Sequence, residues 1–326
     1  MDLVNRTTLT FFIFSGLTEI EELIPFLFVL FSLLYVMALV GNIGIVVLVY
    51  NSSRLHSPMY YFLSFLALID VFYSCTITPK LIFDLTVVEK VITFTGCALQ
   101  FFSYAALGGS ENFLLSTMSY DRYVAICHPL HYMTIMTRKK CLHLIFAVFS
   151  VGFLQSAVQT SCTFSLQFCG SGFIDHFYCD VPPILRLSCS DTSYCNMVTV
   201  YIVGVLTIIP FLTIILSYIF ILSTILRMTS AEGRKKAFST CSSHLICASV
   251  FYMPIFFNYL HPPSSVFTSQ DKVAAIFYAV VTPMLNPLIY TLRNQEIRRT
   301  IGQATRNRIS SAIRLIKSKI ASDFKQ

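Results

Sequence analysis

The sequence predicts an all-α membrane protein, a bundle of seven transmembrane helices followed by a short amphipathic helix on the cytoplasmic side. Of its 326 residues, 55% are hydrophobic and only 12% are charged, and the mean hydropathy is +0.70. These values exclude an ordinary soluble surface. Seven apolar runs are each long enough to cross the ~30 Å hydrocarbon core as a helix. The runs cover residues 24–50, 58–84, 96–127, 140–161, 196–226, 237–260 and 272–292.

The distribution of basic residues predicts the orientation of the spans. An odd number of spans places the two ends of the chain on opposite sides, and lysines and arginines concentrate in cytoplasmic loops. All but five of the 23 lysines and arginines fall on the side of the carboxyl end. We therefore expect a plasma-membrane protein with an extracellular amino end and a cytoplasmic carboxyl end, and no binding of nucleic acid. The exceptions are Arg6, Lys80, Lys90, Arg186 and Lys272.

This topology divides the chain into an extracellular amino tail at 1–23, the bundle at 24–292 and a cytoplasmic tail at 293–326. No signal-peptide pattern precedes the first span, so that span is expected to direct its own insertion. Asn5 opens a glycosylation sequon in the amino tail. Isoleucines recur at helical intervals in the basic carboxyl tail, which predicts an amphipathic helix on the anionic inner leaflet. They are Ile297, Ile301, Ile309, Ile313, Ile316 and Ile320.

Polar residues inside the first, second and seventh spans indicate a shared polar core. Asn42 follows Gly41, so this spot is either a close helix contact or a functional position. Asp70 stands among apolar residues, and its ionised carboxylate would be costly to bury unless water, a cation or polar side chains surround it. A neutral, hydrogen-bonded carboxyl is the alternative. Asn42 and Asn286 lie at comparable depths and are its expected partners.

Span three carries the most informative pattern. Side chains at alternating steps of three and four form one helical stripe, which covers about 27 Å at ~1.5 Å per residue. The stripe ends at Arg122, beside Asp121, where the span meets the cytoplasm. Simple helix packing would explain an apolar stripe, but ionisable groups at this depth usually serve a function. The stripe contains Tyr104, Gly108, Glu111, Leu115, Met118 and Arg122.

Five cysteines lie in or beside the extracellular loops, where disulfides form. A bridge from Cys97 to Cys179 would close a loop of roughly 80 residues, worth about 4 kcal/mol in the chain-entropy picture. Cys169 and Cys189 are a second candidate pair, which leaves Cys195. Zinc is the alternative for this loop, but close paired ligand spacing is missing, so no metal site is expected.

Spans six and seven carry a histidine and a proline. His244 lies near the inner end of span six, where a satisfied structural histidine is the ordinary interpretation. It begins a helical stripe with Ala248, Phe251, Ile255 and Tyr259. In span seven, Pro287 lacks a backbone donor and is therefore expected to kink the helix and form a hinge.

These motifs give residues 16–299 a family resemblance. Asn42, Asp70, Asp121-Arg122-Tyr123 and Asn286-Pro287-Leu288-Ile289-Tyr290 resemble the marks of rhodopsin-like (class A) G-protein-coupled receptors. Within that class, four longer motifs make the chain similar to vertebrate olfactory receptors. They are Leu55-His56-Ser57-Pro58-Met59-Tyr60, Met118-Ser119-Tyr120-Asp121-Arg122-Tyr123-Val124-Ala125-Ile126-Cys127, Lys235-Lys236-Ala237-Phe238-Ser239-Thr240-Cys241-Ser242-Ser243-His244 and Pro283-Met284-Leu285-Asn286-Pro287.

Departures from the family pattern are small. Ser119 replaces the usual alanine and Ser57 the usual threonine, and the chain contains no tryptophan. Olfactory receptors also generally lack the tryptophan found in the fourth span of other class members. Tyr252 stands where tryptophan is common in the sixth span elsewhere in the class.

The resemblance implies a receptor, with no enzymatic activity, that binds a small and mostly apolar odorant in the outer half of the bundle. It also implies coupling to a stimulatory, olfactory-type G protein that raises cyclic AMP. Gly108 and Gly109 are expected to leave room for the ligand, and tyrosine hydroxyls to orient it. The absence of a basic residue from this region favours alcohols, aldehydes, ketones, esters or hydrocarbons over carboxylates. The predicted pocket comprises Tyr104, Ala105, Gly108, Gly109, Gln159, Val203, Leu206, Tyr252, Ile255, Phe256, Tyr259, Phe277 and Tyr278.

The same resemblance implies a switch at the inner end, in which Asp121 holds Arg122 at rest and movement of span six frees it. Asn42, Asp70, Glu111 and Asn286 would form the polar core that repacks, and a sodium ion beside Asp70 and Glu111 is a candidate occupant. No other cofactor is expected. The predicted switch and G-protein contact comprise Asp121, Arg122, Tyr123, His244, Asn286, Pro287 and Tyr290.

A transporter or channel is the alternative function, with Asp70 and Glu111 along an ion path. Against it, the hydropathy profile has no internal repeat and no second broken helix in a matching position. A membrane enzyme is less favoured, because no nucleophile, base and orienting group fall together in the sequence.

Overall fold

The computed structural model describes residues 9–18, 20–260, 269–303 and 306, with only the backbone described for Lys236, Thr240, 257–260 and 269–271. Seven long helices form a bundle, and a shorter helix that follows them, α8, covers 295–303. Two further short helices, Tyr132–Ile135 and Val181–Leu185, lie in the described loops. The long helices are α1 (Ile24–Asn51), α2 (Pro58–Asp84), α3 (Phe94–Cys127), α4 (Arg138–Phe164), α5 (Ser193–Arg227), α6 (Ala231–Leu260) and α7, which comprises Ser269–Ile276, a π-helical turn at Phe277–Val281 and Thr282–Arg293.

Capping and proline positions explain where several helices begin. Pro58 is the first residue of α2, where its missing N–H is not needed, and the predicted span has the same bounds. The Thr137 hydroxyl accepts the N–H of Lys140 at 3.3 Å and caps α4. The Ser230 hydroxyl accepts the N–H of Gly233 at 3.2 Å, so α6 starts at Ala231, earlier than the predicted residue 237.

Helix α3 lies at the centre of the bundle and packs against α2, α4, α5 and α6. Five helices of the described chain, α1, α2, α4, α5 and α7, are long and apolar enough to cross a membrane by length and composition. Helix α3 is less apolar because polar side chains such as Gln100, Ser110 and Asn112 face the protein interior and are buried. Helix α3 can therefore run through the centre of the bundle although part of its surface is polar, because that part contacts other protein groups.

A three-stranded sheet covers the end of the bundle that is predicted to be extracellular, and this sheet was not predicted from the sequence. Strand β1 (Phe11–Phe14) of the amino tail pairs antiparallel with β2 (Val91–Thr93) and parallel with β3 (Phe173–Ile174). The β1 sequence is rich in aromatic and branched residues, which favour strands. Phe12 and Phe14 are buried against the outer loops, so the amino tail is part of the folded receptor.

Three disulfides lie at the same end of the bundle as the sheet. They join Cys97 to Cys179, Cys162 to Cys195 and Cys169 to Cys189, with Cα–Cα distances of 5.6, 5.7 and 5.8 Å. The Cys162–Cys195 bridge joins α4 to α5. This partner of Cys195 was not predicted, because Cys162 follows directly on the predicted fourth span and lies inside the observed helix α4.

Some predicted features fall outside the described residues. These are the sequon at Asn5 and the tail isoleucines from Ile309 onward. Tyr259 lies in α6, but its side chain is not among those described. In α8, Ile297 is buried and Ile301 is 39% exposed.

Candidate functional site

The outer end of α3 meets the second outer loop at a group of tyrosines around one carboxylate, which we call the Asp180 cluster (Tyr104, Tyr178, Asp180 and Tyr278). The Tyr104 hydroxyl donates to Asp180 Oδ1, and the Tyr178 hydroxyl donates to Asp180 Oδ2 at 3.0 Å. The Tyr278 hydroxyl bonds to that of Tyr178 and lies 3.5 Å from Asp180 Oδ2. Burial raises the pKa of Tyr178 well above its usual value, and Asp180 raises it further. The cluster ties α3, the loop and α7 together.

Deeper in the bundle, Asn112 links three helices. Its side-chain amide donates to the carbonyl of Leu206 on α5 at 2.7 Å, and its oxygen accepts the hydroxyl of Tyr252 on α6. Phe211 packs against the rings of Tyr252 and Phe256, with centroids 5.1 and 4.7 Å apart. The predicted residues Leu206, Tyr252 and Phe256 thus share one region. Asn112 was missed, although it is a polar residue next to Glu111 in an apolar run.

Two predicted pocket residues lie elsewhere. A Cβ at Gly109 would come within 1.7 Å of the Gln155 side chain, so α4 fills the space that was expected to receive a ligand. Phe277 is 49% exposed on the outside of the bundle, whereas its neighbour Tyr278 turns inward, because successive helical residues point in different directions. Gly109 and Phe277 are therefore corrected to a helix contact and an outward-facing side chain.

The remaining predicted pocket residues lie along the interior. A Cβ at Gly108 would meet the ring of Tyr73 at an ordinary contact distance of 3.5 Å. The carbonyl of Ala105 accepts a hydrogen bond from Gln155 at 3.2 Å. Gln159 is buried, whereas Val203 and Ile255 are partly buried.

The polar core contains two buried carboxyl groups and one amide. Asn286 donates from Nδ2 to Asp70 Oδ1 and Oδ2 at 3.2 and 3.1 Å, and it lies 3.4 Å from Glu111 Oε1. The Asn286 side-chain oxygen and the Ser74 hydroxyl are buried without a hydrogen-bond partner in the described part of the chain. Ser74 lies one turn from Asp70 on the same face of α2. This set of oxygens fits a hard cation such as sodium.

Asn42 and Gly41 support the contact between α1 and the proline of α7. Because Pro287 has no N–H, the carbonyl of Pro283 lacks its helical donor. The Asn42 amide donates to that carbonyl at 2.8 Å and to Ala38 at 2.9 Å. A Cβ at Gly41 would lie 2.9 Å from the Pro287 ring, so only glycine permits this approach. The packing interpretation of Gly41 is therefore supported, and Asn42 bonds to these carbonyls and not to Asp70 as predicted, because its amide is used by the carbonyl that Pro287 leaves without a donor.

At the inner end, Asp121 and Arg122 form an ion pair, with the Arg122 Nε 3.1 Å from Asp121 Oδ2. The Tyr132 hydroxyl donates to Asp121 Oδ1 at 2.8 Å. Burial raises the pKa of Tyr132 and the Asp121 carboxylate raises it further, so Tyr132 keeps the proton that it donates. Tyr123 contacts His128 at 3.1 Å. Asp121 Oδ1 is therefore held by Tyr132 of the second inner loop, a partner that was not predicted from the sequence.

His244 joins α6 to two neighbouring helices. Its Nε2 donates to the carbonyl of Leu115 on α3 at 3.0 Å, and its Nδ1 lies 2.8 Å from the hydroxyl of Tyr218 on α5. The ring stacks on Tyr218 with an angle of 10° between the planes. Tyr290 of α7 is also buried, 1% exposed. His244 is therefore a satisfied histidine whose bonds all cross between helices.

These features define a multi-pass helical receptor of the G-protein-coupled class. The family model described as olfactory receptor matches residues 31–308. Human olfactory receptor 5B12 is 47% identical over 304 residues, covering 92% of this chain and 97% of the relative. Mouse olfactory receptor 5AR1 is 45% identical over 298 residues, covering 91% and 96%. Human olfactory receptor 8U8 is 45% identical over 305 residues, covering 94% and 96%.

The chain belongs to the olfactory receptor family. The family resemblance, the seven-helix fold and the absence of an enzymatic role predicted from the sequence are confirmed by these matches.

Proposed function

We propose that this receptor binds a small, mostly apolar volatile molecule in the outer half of the bundle and then activates a stimulatory, olfactory-type G protein, which raises cyclic AMP. The observation that carries the proposal is the row of contacts along α3. Tyr104 bonds to the outer loop, Asn112 to α5 and α6, and Asp121, which pairs with Arg122, accepts from Tyr132 of the inner loop. One central helix thus connects the proposed ligand region to the proposed G-protein face.

The orientation in the plasma membrane is part of this proposal, with the amino end outside. Disulfides cluster at one end of the bundle and basic residues concentrate at the other, which supports an oxidising outer side and a cytoplasmic inner side. Asn5 would then be available for glycosylation.

The proposed ligand region contains aromatic and aliphatic side chains, with hydroxyls and the amides of Asn112 and Gln159 between them. An odorant of about ten heavy atoms, at ~0.5–0.8 kcal/mol each, would bind with roughly 5–8 kcal/mol. Micromolar to high-micromolar affinity follows. Such a ligand shifts the receptor only by the difference between its affinities for the resting and active states, so weak odorants would act as partial agonists.

In the resting state, Asp121 holds Arg122, and His244 holds α6 against α3 and α5. Outward movement of α6 would break the two bonds of His244 and free Arg122 for the G protein. Asp70 and Glu111 would hold a sodium ion in the resting core, whose charge would offset the two carboxylates. Asn286, Pro287 and Tyr290 would rearrange around this core as α7 bends.

Replacing Arg122 by alanine tests the coupling. We expect odorant-driven cyclic AMP to fall to background while the receptor still reaches the cell surface, because the side chain acts in the switch and not in the outer fold. Arg138→Ala is the matched control, since Arg138 is an exposed arginine at the same inner surface. A normal response of the Arg122 variant would refute its assignment as the switch.

A further inference from the structure

The Asp180 cluster contains a carboxylate without a partner cation. In the described chain, the ion pairs involve Asp84, Asp121, Asp175 and Glu296, and no lysine or arginine pairs with Asp180. Its oxygens accept instead from tyrosine hydroxyls and, at 2.8 Å, from the N–H of Val181. A partly buried carboxylate is stabilised further when a positive group or an additional donor reaches it.

The hydroxyl hydrogens of the cluster are already used within it. Each tyrosine has one O–H to donate. Tyr104 and Tyr178 donate to Asp180, and the short contact between Tyr178 and Tyr278 takes the third hydrogen, with Asp180 Oδ2 as its alternative acceptor. A ligand that only accepts hydrogen bonds therefore finds no unused hydroxyl donor in this cluster.

The Asp180 carboxylate, in contrast, can still accept further hydrogen bonds. A carboxylate offers about four lone-pair positions, and the 3.5 Å contact of Oδ2 with Tyr278 is the weakest of those occupied. If Tyr278 donates to Tyr178, that position becomes available to a ligand. Asp180, Tyr104 and Tyr278 are all partly exposed, whereas Tyr178 is fully buried, so the spare acceptor positions of the cluster lie on a carboxylate that is not sealed from its surroundings.

We propose that Asp180 determines ligand specificity by selecting odorants that carry a hydrogen-bond donor, with protonated amines first, alcohols second, and aldehydes, ketones and ethers disfavoured. This inference rests on the proposed function of the outer region and narrows its ligand class. The amine supplies the missing positive charge and a charge-assisted hydrogen bond, which is about twice as strong as a neutral one. An alcohol supplies the donor alone.

The test uses matched probe molecules and two separate readouts. Hexyl, benzyl, 2-phenylethyl and cyclohexylmethyl skeletons are each offered as primary amine, alcohol, aldehyde and methyl ether. Binding is measured as thermal stabilisation of the purified full-length receptor in nanodiscs, and activation as cyclic AMP in cells. We expect at least one skeleton whose amine and alcohol bind tenfold or more tightly than its aldehyde and ether.

Asp180→Asn isolates the carboxylate. The amide oxygen can still accept from Tyr104 and Val181, while the charge is removed and the second oxygen, which accepts from Tyr178, is replaced by a donor. We expect the amine to lose at least tenfold in affinity and the aldehyde to gain. Tyr73→Phe is the matched control, because Tyr73 packs 6.5 Å from Tyr104 and has no bond to Asp180. The amine-to-aldehyde ratio should not change in that variant.

Three outcomes overturn the inference: aldehydes and ethers that bind as tightly as amines and alcohols, a donor preference that persists in Asp180→Asn, or no binding by any amine or alcohol of the panel. If donor molecules bind but cyclic AMP does not rise, the proposed coupling fails while the specificity of Asp180 stands. If probes raise cyclic AMP without any preference, the coupling stands and the inference fails.

Discussion

The outer and inner ends of the bundle are held together by different kinds of contact. At the outer end, three disulfides and a three-stranded sheet connect the amino tail, the loops and the tops of the helices. At the inner end, the described contacts between α3, α5 and α6 include single hydrogen bonds of His244 and one between Cys127 and Thr224. Covalent and sheet contacts resist rearrangement, whereas single hydrogen bonds contribute only about 0.5–1.5 kcal/mol each.

Because of this difference, we expect the two ends of the bundle to have different roles. A closed outer end keeps the Asp180 cluster in one geometry, so ligand selection does not require the loops to reorganise. An inner end held by a few weak contacts can change when a ligand contributes only a few kcal/mol. Proteins that switch need such a region of low local stability.

Removal of a disulfide should have the largest effect of the tests at the outer end. The Cys97–Cys179 bridge spans 82 residues and is worth about 4 kcal/mol in the chain-entropy picture, whereas the Cys169–Cys189 bridge spans 20 and is worth about 3 kcal/mol. We expect the double variant Cys97→Ser/Cys179→Ser to lose nearly all surface expression, measured by flow cytometry. Cys169→Ser/Cys189→Ser should retain more. Equal expression of both pairs would argue against the outer end as the stable half.

His244→Phe tests the inner end with a smaller expected effect. Phenylalanine fills the ring volume but removes both interhelical hydrogen bonds, leaving the carbonyl of Leu115 without its donor. Loss of about 1–2 kcal/mol from the resting state should raise basal cyclic AMP several-fold without odorant. Ser249→Ala is the matched control, because the Ser249 hydroxyl bonds only to Leu245 in its own helix. Basal activity equal to that of the control would mean that His244 does not hold the resting state.

Much of the helical core could be predicted because it depends on features of the local sequence. Hydropathy and length located the seven spans, and Pro287 was recognised as a residue without a backbone donor, although the carbonyl it leaves free and the bond of that carbonyl to Asn42 were not predicted. The helical stripe on α3 placed Tyr104 and Arg122 at opposite ends of one helix. Periodicity did not predict that Gly109 faces α4. It shows which residues share a face of a helix, but it does not show which neighbouring helix packs against that face.

The Asp180 cluster could not be predicted for a different reason. Its members come from α3, the second outer loop and α7, and loop residues have no periodicity that fixes their direction. The strand at Phe11–Phe14 was missed because its partners, β2 and β3, are far away in the sequence. Adjacency of Asp180 to Cys179 was the available signal, since a disulfide to Cys97 fixes that part of the loop next to the outer end of α3.

The ion pair between Lys272 and Asp175 is the contact at the outer end whose removal should have the smallest effect on stability. The Lys272 ammonium lies 2.8 Å from Asp175 Oδ1 and also bonds to Ser15 at 3.0 Å, so it links α7, the second loop and the amino tail. Hydrogen bonding by Lys272 lowers the pKa of Asp175. Since Asp175 is 53% exposed, solvent and salt screen the pair, and its contribution should stay below about 1 kcal/mol.

The sign of the pH dependence follows from the lowered pKa. Stabilisation by this pair is present above the ordinary aspartate pKa of about 4 and is lost as the pH falls through the lower folded value. Asp175→Asn should therefore reduce the thermal midpoint of the purified receptor slightly at pH 7, and this difference should shrink as the pH falls below the ordinary aspartate value. A double-mutant cycle with Lys272→Gln isolates the pair, and its coupling should shrink in 1 M salt. A coupling energy of several kcal/mol would show that single polar contacts, and not the disulfides and sheet alone, stabilise the outer end.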